Sequence, residues 1–159
     1  PQAPAPDDLA GLAPSYGIVL VRRAGYAVAR ARGRQLLARK VGSRHVNGRT
    51  AAGGWSQKRY ARRREHQAGE VAGATAAAVA RLLVADGTDD GWTPEFLVTG
   101  GERALLREVL ELARGGVGWL PVAGTVAVGT PTADVLAGVP DRVLQVLVTV
   151  AEPTQVHRT

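Results

Sequence analysis

The sequence predicts an α/β domain built on a mixed sheet, and three observations carry that prediction. Short alternating runs separated by glycine turns fill residues 17–41, the spacing switches to a helical period after residue 57, and strand-like and helix-like segments alternate thereafter. At 159 residues the chain has the length of one domain able to bury a core without staples. Residues 1–15, rich in Pro and Ala, read as a flexible lead-in, 16–151 as the folded domain and 152–159 as a tail.

The elements follow in order. YGIVLVRRAGYAVARARGRQLLARKV predicts strands near 17–23, 25–32 and 34–41, with Ala24-Gly25 and Gly33 supplying the turns. In the second strand Ala27, Ala29 and Ala31 form a small packing face. Tyr26, Val28, Arg30 and Arg32 form the other, expected to face outward in a half-buried sheet. Residues 42–57 hold no period and are rich in Gly and Asn, which marks a long loop of functional kind, expected to be mobile and to order against RNA.

A long helix is expected over roughly 57–85. Val71, Thr75, Ala78 and Leu82 share its inner face, KRYARRREHQ projects into solvent, and Asp86-Gly87 ends it. EFLVT reads as a strand, Gly100-Gly101 as a turn, and ERALLREVLELAR as an amphipathic helix with Leu105, Val109 and Leu112 inward. A strand within 118–128, a short helix near 132–143 and a closing strand at 143–150 complete the reading.

Composition removes several chemistries. With no Cys there is no disulfide, thiolate metal site or cysteine nucleophile, and His45, His66 and His157 are too far apart in sequence to suggest a ligand cluster. No metal or cofactor is expected. No apolar run reaches membrane-spanning length and no signal pattern opens the chain, so a cytoplasmic monomer is expected. The chain contains no Met, so the natural start is expected before Pro1.

Charge is distributed unevenly. Residues 22–64 hold 14 of the 20 Lys and Arg and no Asp or Glu, leaving 6 basic and 14 acidic residues elsewhere. A block this basic on an acidic body suits a surface that binds phosphates. Its centre is Gly53-Gly54-Trp55-Ser56-Gln57, followed at once by Lys58, Arg59, Arg62, Arg63 and Arg64. A helix start prefers acids, and each misplaced cation costs a few tenths of a kcal/mol or so, which an anionic partner would offset. Adjacent glycines allow close backbone approach to that partner.

These residues resemble the catalytic middle domain of eukaryotic and archaeal class I peptide-chain release factors. They are more similar to its VLRF-type branch, the release-factor-like peptidyl-tRNA hydrolases of ribosome rescue, particularly the actinobacterial members. LLARKVGSRHVNGRTAAGGWSQKRYARRREHQ and VAVGTPTADVL carry the resemblance, which spans about residues 16–150. It implies a ribonuclease H-like fold, with the long helix following the catalytic loop. It also implies hydrolysis of the peptidyl-tRNA ester on the large ribosomal subunit, with the tRNA acceptor end and ribosomal RNA as partners. Release factors place Gln directly after two glycines; here Trp55 and Ser56 intervene, and Gly54 and Gln57 meet the Gly-x-x-Gln pattern of the VLRF-type branch. The catalytic segment is then Gly53, Gly54, Trp55, Ser56 and Gln57, with the glutamine's role on Gln57 alone. Arg44, His45, Arg49, Lys58, Arg59, Arg62, Arg63 and Arg64 are the RNA-binding candidates.

Gln57 has no basic group to take a proton near neutral pH, but its carbonyl can accept a hydrogen bond from water and fix the angle of attack. Ser56 lacks the closing Gly of a nucleophile elbow, which weakens a serine mechanism through His45. Trp55 is suited either to stacking on a base or to packing into the domain. The competing function is a non-catalytic RNA- or ribosome-binding module using the same basic surface. A metal-dependent nuclease would need clustered carboxylates, and the first three strands contain none.

Overall fold

The computed structural model describes residues 13–43, 56–84 and 91–143. Among the described residues five strands form one sheet: β1 (Ser15–Arg22), β2 (Gly25–Arg32), β3 (Gln35–Ser43), β4 (Phe96–Gly101) and β5 (Val122–Val126), in the order β3-β2-β1-β4-β5. β1 pairs antiparallel with β2, and β2 with β3, whereas β1–β4 and β4–β5 are parallel. Helix α1 (Ser56–Val79) and a π-helical turn (Ala80–Val84) connect the meander to β4. The helices α2 (Arg103–Leu112), α3 (Arg114–Val117) and α4 (Ala133–Ala137) follow. The mixed α/β architecture read from the sequence is therefore present. β3 runs two residues further than expected because Gly42 and Ser43 still pair with Tyr26 and Gly25.

β1 explains the layering. Its residues from Ser15 to Val21 are buried on both faces, the signature of a central strand covered on each side. On one face Val19, Val21 and Val28 pack with Val71, Ala72, Ala78, Val79 and Leu83 of the long helix and with Leu105, Leu106 and Val109 of α2. On the other, Ile18, Leu20, Ala27, Ala29 and Ala31 pack with Val128, Leu136, Val139 and Val143.

The expectation of an outward basic face on β2 is corrected. That face lies under α1, with Val28 fully buried and Arg30 only 9% exposed. The Arg30 guanidinium carbon sits 5.3 Å from the centroid of the Trp92 ring, and the indole N–H donates to the Ala31 carbonyl at 3.0 Å. A cation over an aromatic face is held there more cheaply than in a purely aliphatic core.

In α1 the expected inner face is present, with Val71, Thr75 and Ala78 buried. Thr75 satisfies its hydroxyl within its own helix, donating to the Val71 carbonyl at 2.6 Å. The π-helical turn adds a residue to the last turn. Leu83 consequently replaces Leu82 as the buried side chain, and Leu82 is left half-buried.

Three further expectations are revised. Gly100 and Gly101 belong to β4 rather than to a turn, since they pair with Leu20 and Val21. Gly101 has φ +110°, and a Cβ there would overlap the Val21 carbonyl oxygen, so the strand ends on a residue that has to be glycine. In α2, Leu105 and Val109 face inward as expected, but Leu106 takes the third inner position and Leu112 is exposed. Near the C-terminus the helical segment is broken into Ala133–Ala137 and 139–143 around Gly138, with Val143 still helical. The rest of the expected closing strand, the Asp86-Gly87 stop, the loop from 44 to 55, the lead-in before Ala13 and the tail lie outside the described residues.

Candidate functional site

The ladder partners define an edge. Arg22 faces Gly25, Gly25 faces Ser43, Val21 faces Gly101 and Gly100 faces Val126. The C-terminal ends of β1, β3, β4 and β5 therefore lie together along one side of the sheet. In open α/β sheets ligands bind outside the carboxyl ends of the parallel strands. The basic loop leaves the sheet at this edge, directly after Ser43.

Helix α1 passes the same edge. Glu70, Val71, Gly73 and Ala74 lie beside Gly25, Tyr26, Gly42 and Ser43 there, whereas Leu83 lies over Gly17 near the start of β1. The helix thus runs antiparallel to β1, and its N-terminal half continues beyond the sheet. Every residue from Gln57 to His66 is exposed. At 1.5 Å per residue, Gln57 stands about 20 Å along the axis from Val71, the first buried residue of the helix.

Of the candidate residues, this stalk holds Ser56, Gln57, Lys58, Arg59, Arg62, Arg63 and Arg64. Ser56 opens the helix and Gln57 follows in its first turn, which contains no acid. Lys58, Arg59, Arg62, Arg63 and Arg64 are all exposed, and a 100° step per residue distributes them around the whole circumference. Arg64 lies over the Tyr60 ring at 5.5 Å, and His66 Nδ1 is 3.5 Å from a Glu70 carboxylate oxygen, so acidic compensation begins only below the cationic turns. Arg44, His45, Arg49, Gly53, Gly54 and Trp55 lie outside the described residues. Among the described residues no group of three or more His, Asp or Glu is placed to hold a metal ion.

The structure also gathers residues that the sequence reading did not single out. Arg22 and Arg23 sit on the β1–β2 turn at the same edge, with Arg23 Nε 3.2 Å from Glu102 at the end of β4. A cleft of about 610 Å³ opens between Tyr26 and the glycine-bearing middle of α1. The mid-helix glycine, Gly73, was the available signal, because glycine there costs about 1 kcal/mol relative to alanine.

The fold and the described part of the site define an α/β domain that extends a cationic helix, with a neutral amide in its first turn, beyond its sheet. The Actinobacteria/chloroflexi VLRF1 release factor model matches residues 14–149, and the chain belongs to that family. Membership gives it a release-factor role in translation, in contact with the ribosome. No curated protein matches the chain. Among the described residues no helix is long and apolar enough to cross a membrane.

Proposed function

We propose that the chain hydrolyses the ester of peptidyl-tRNA on the large ribosomal subunit, releasing nascent chains during ribosome rescue in the cytoplasm. The observation that carries this reading is the exposed position of Gln57 in the first turn of a helix whose next seven residues hold five cations and no acid. Family membership supports it from a separate direction. The ribonuclease H-like label and the site roles of Gly53, Gly54, Trp55 and Ser56 belong to the same proposal.

In this mechanism the cations hold tRNA and ribosomal RNA phosphates around the stalk, and the helix start presents Gln57 to the ester. The Gln57 carbonyl accepts a hydrogen bond from one water molecule and fixes its approach. The water oxygen bonds to the ester carbonyl carbon, whose oxygen takes up negative charge. Backbone N–H groups at the helix start, which have no intrahelical acceptor, stabilise that charge. The bond to the tRNA ribose oxygen then breaks, the peptide leaves as a carboxylic acid, and the departing ribose oxygen receives the proton released by the water.

The test is incubation with peptidyl-tRNA on isolated large subunits, following ester cleavage. Cleavage lost in Gln57→Ala supports the reading. Binding without cleavage by the wild-type chain returns the protein to a non-catalytic ribosome-binding module.

A further inference from the structure

We propose that the cleft between Tyr26 and α1 is a seat for one unpaired nucleobase of the bound RNA, stacked on the Tyr26 ring. This rests on the RNA-binding reading above and adds a second contact of different chemistry, away from the Gln57 tip.

Four features of the cleft point to a flat, neutral ligand. Tyr26 is half-buried and its ring lies across Gly42 of the neighbouring strand, so closely that a Cβ at position 42 would overlap it. The absence of a side chain at position 42 is what lets the ring lie there. Opposite, nothing among the described residues lies within 4 Å of where a Cβ of Gly73 would stand, so the helix side of the cleft is open. The volume, about 610 Å³, falls within the about 300–1,000 Å³ typical of ligand sites. Finally, Tyr26, Ser43 and Glu70 are the polar residues of the lining, and the Glu70 carboxylate also meets His66 Nδ1 at 3.5 Å. A carboxylate repels a phosphate but accepts hydrogen bonds from the amino group of a base.

The position fits as well. The cleft lies at the sheet edge where the basic loop departs and below the cationic turns of α1, so a strand whose phosphates follow Arg62, Arg63 and Arg64 passes its mouth. Aromatic faces accept any base, and stacking on one is a sequence-tolerant contact.

The experiment uses the full chain and a single-stranded RNA 12-mer carrying one 2-aminopurine, read by affinity, salt dependence and fluorescence. Wild type and Tyr26→Phe should quench the 2-aminopurine. Gly73→Leu fills the cleft from the helix side, where open space and better helix propensity preserve folding. It and Tyr26→Leu should abolish quenching and weaken binding about 5- to 150-fold, the effect of losing one stacked base, with the salt slope unchanged. Wild-type affinity and quenching in Gly73→Leu would overturn the cleft while leaving the stalk reading intact. No RNA binding by the wild-type chain would overturn both. Weaker association of Gly73→Leu with large subunits, without quenching by any protein, would assign the cleft to a ribosomal protein and overturn the nucleobase.

Discussion

Gln57 can serve hydrolysis only through hydrogen bonding, and this shapes what its replacement should do. It is exposed, so Gln57→Ala should leave folding and RNA affinity nearly unchanged. Ester cleavage should fall on the order of 10²–10³-fold, the usual effect of losing one polar group aligned on the transition state. Gln57→Glu should also be poor, because it loses the donor and sets a negative charge near the tRNA backbone. Full cleavage by Gln57→Ala beside a dead Ser56→Ala would replace the glutamine mechanism with a serine nucleophile. A second residue, Tyr16, gives a pH dependence unrelated to catalysis. Burial raises its hydroxyl to about 12, with a smaller contribution from the negative charge of Asp141. The hydroxyl donates to the Gly33 carbonyl at 2.7 Å and the ring stacks on Phe96. The folded state therefore holds this proton more tightly than the unfolded chain. Its stabilisation is complete below about pH 10 and is lost as pH rises through about 12. Denaturant titrations from pH 9 to 12 should show this decline, and Tyr16→Phe should flatten it while lowering stability at neutral pH.

At the scale of the element, α1 divides into halves with different physics. Its second half has Val71, Ala72, Thr75, Ala78 and Val79 buried, whereas residues 57–66 contribute nothing to the core. Amide hydrogen exchange in the chain without RNA should be fast through residue 66 and slow from Val71 onward. Uniform protection along the helix would show that the stalk has a structural partner. On the proposed function, the five cations on this half also set the salt dependence of RNA binding. If each neutralises one phosphate of a single strand, the log–log slope of affinity against salt is about −3.5. Arg62, Arg63 and Arg64 changed together to Ala should reduce it to about −1.4 and weaken binding across sequences. An unchanged slope would assign these arginines to solvation alone.

Across the whole molecule, the candidate edge and the two packed faces are separate. Leu136 is fully buried on the face away from α1. Leu136→Ala should lower stability by about 2–5 kcal/mol through lost transfer energy and a residual cavity. Below the lowered Tm its RNA affinity and cleavage should match wild type, and a selective loss of cleavage would reveal coupling from the core to the tip. This separation also explains the charge pattern. The sequence outside residues 22–64 carries 6 basic and 14 acidic residues, so positive charge is concentrated on the stalk, the loop residues and the neighbouring strands.

Much of this organisation follows from local chemistry, and local chemistry is what a sequence records. Alternation in residues 17–41, glycine turns and helical spacing after residue 57 specify the three-strand meander and α1 because each depends on near neighbours alone. The exposed cationic turn ending at Gln57 was legible for the same reason: no buried partner has to be found for it. Contacts distant in sequence decided the rest. Arg30 reads as an outward cation until Trp92, 62 residues later, covers it. Leu82 reads as the last core residue of the helix until a π-helical turn substitutes Leu83. Gly100-Gly101 reads as a turn until parallel pairing with β1 draws both residues into the sheet, where Gly101 meets the Val21 carbonyl. Tyr26, Gly42 and Gly73 lie on three elements, and no period connects them. By itself the sequence determined the elements and the charged tip, while tertiary structure decided which faces were covered and which residues met at the sheet edge, because burial and close approach depend on packing between segments that local spacing does not encode.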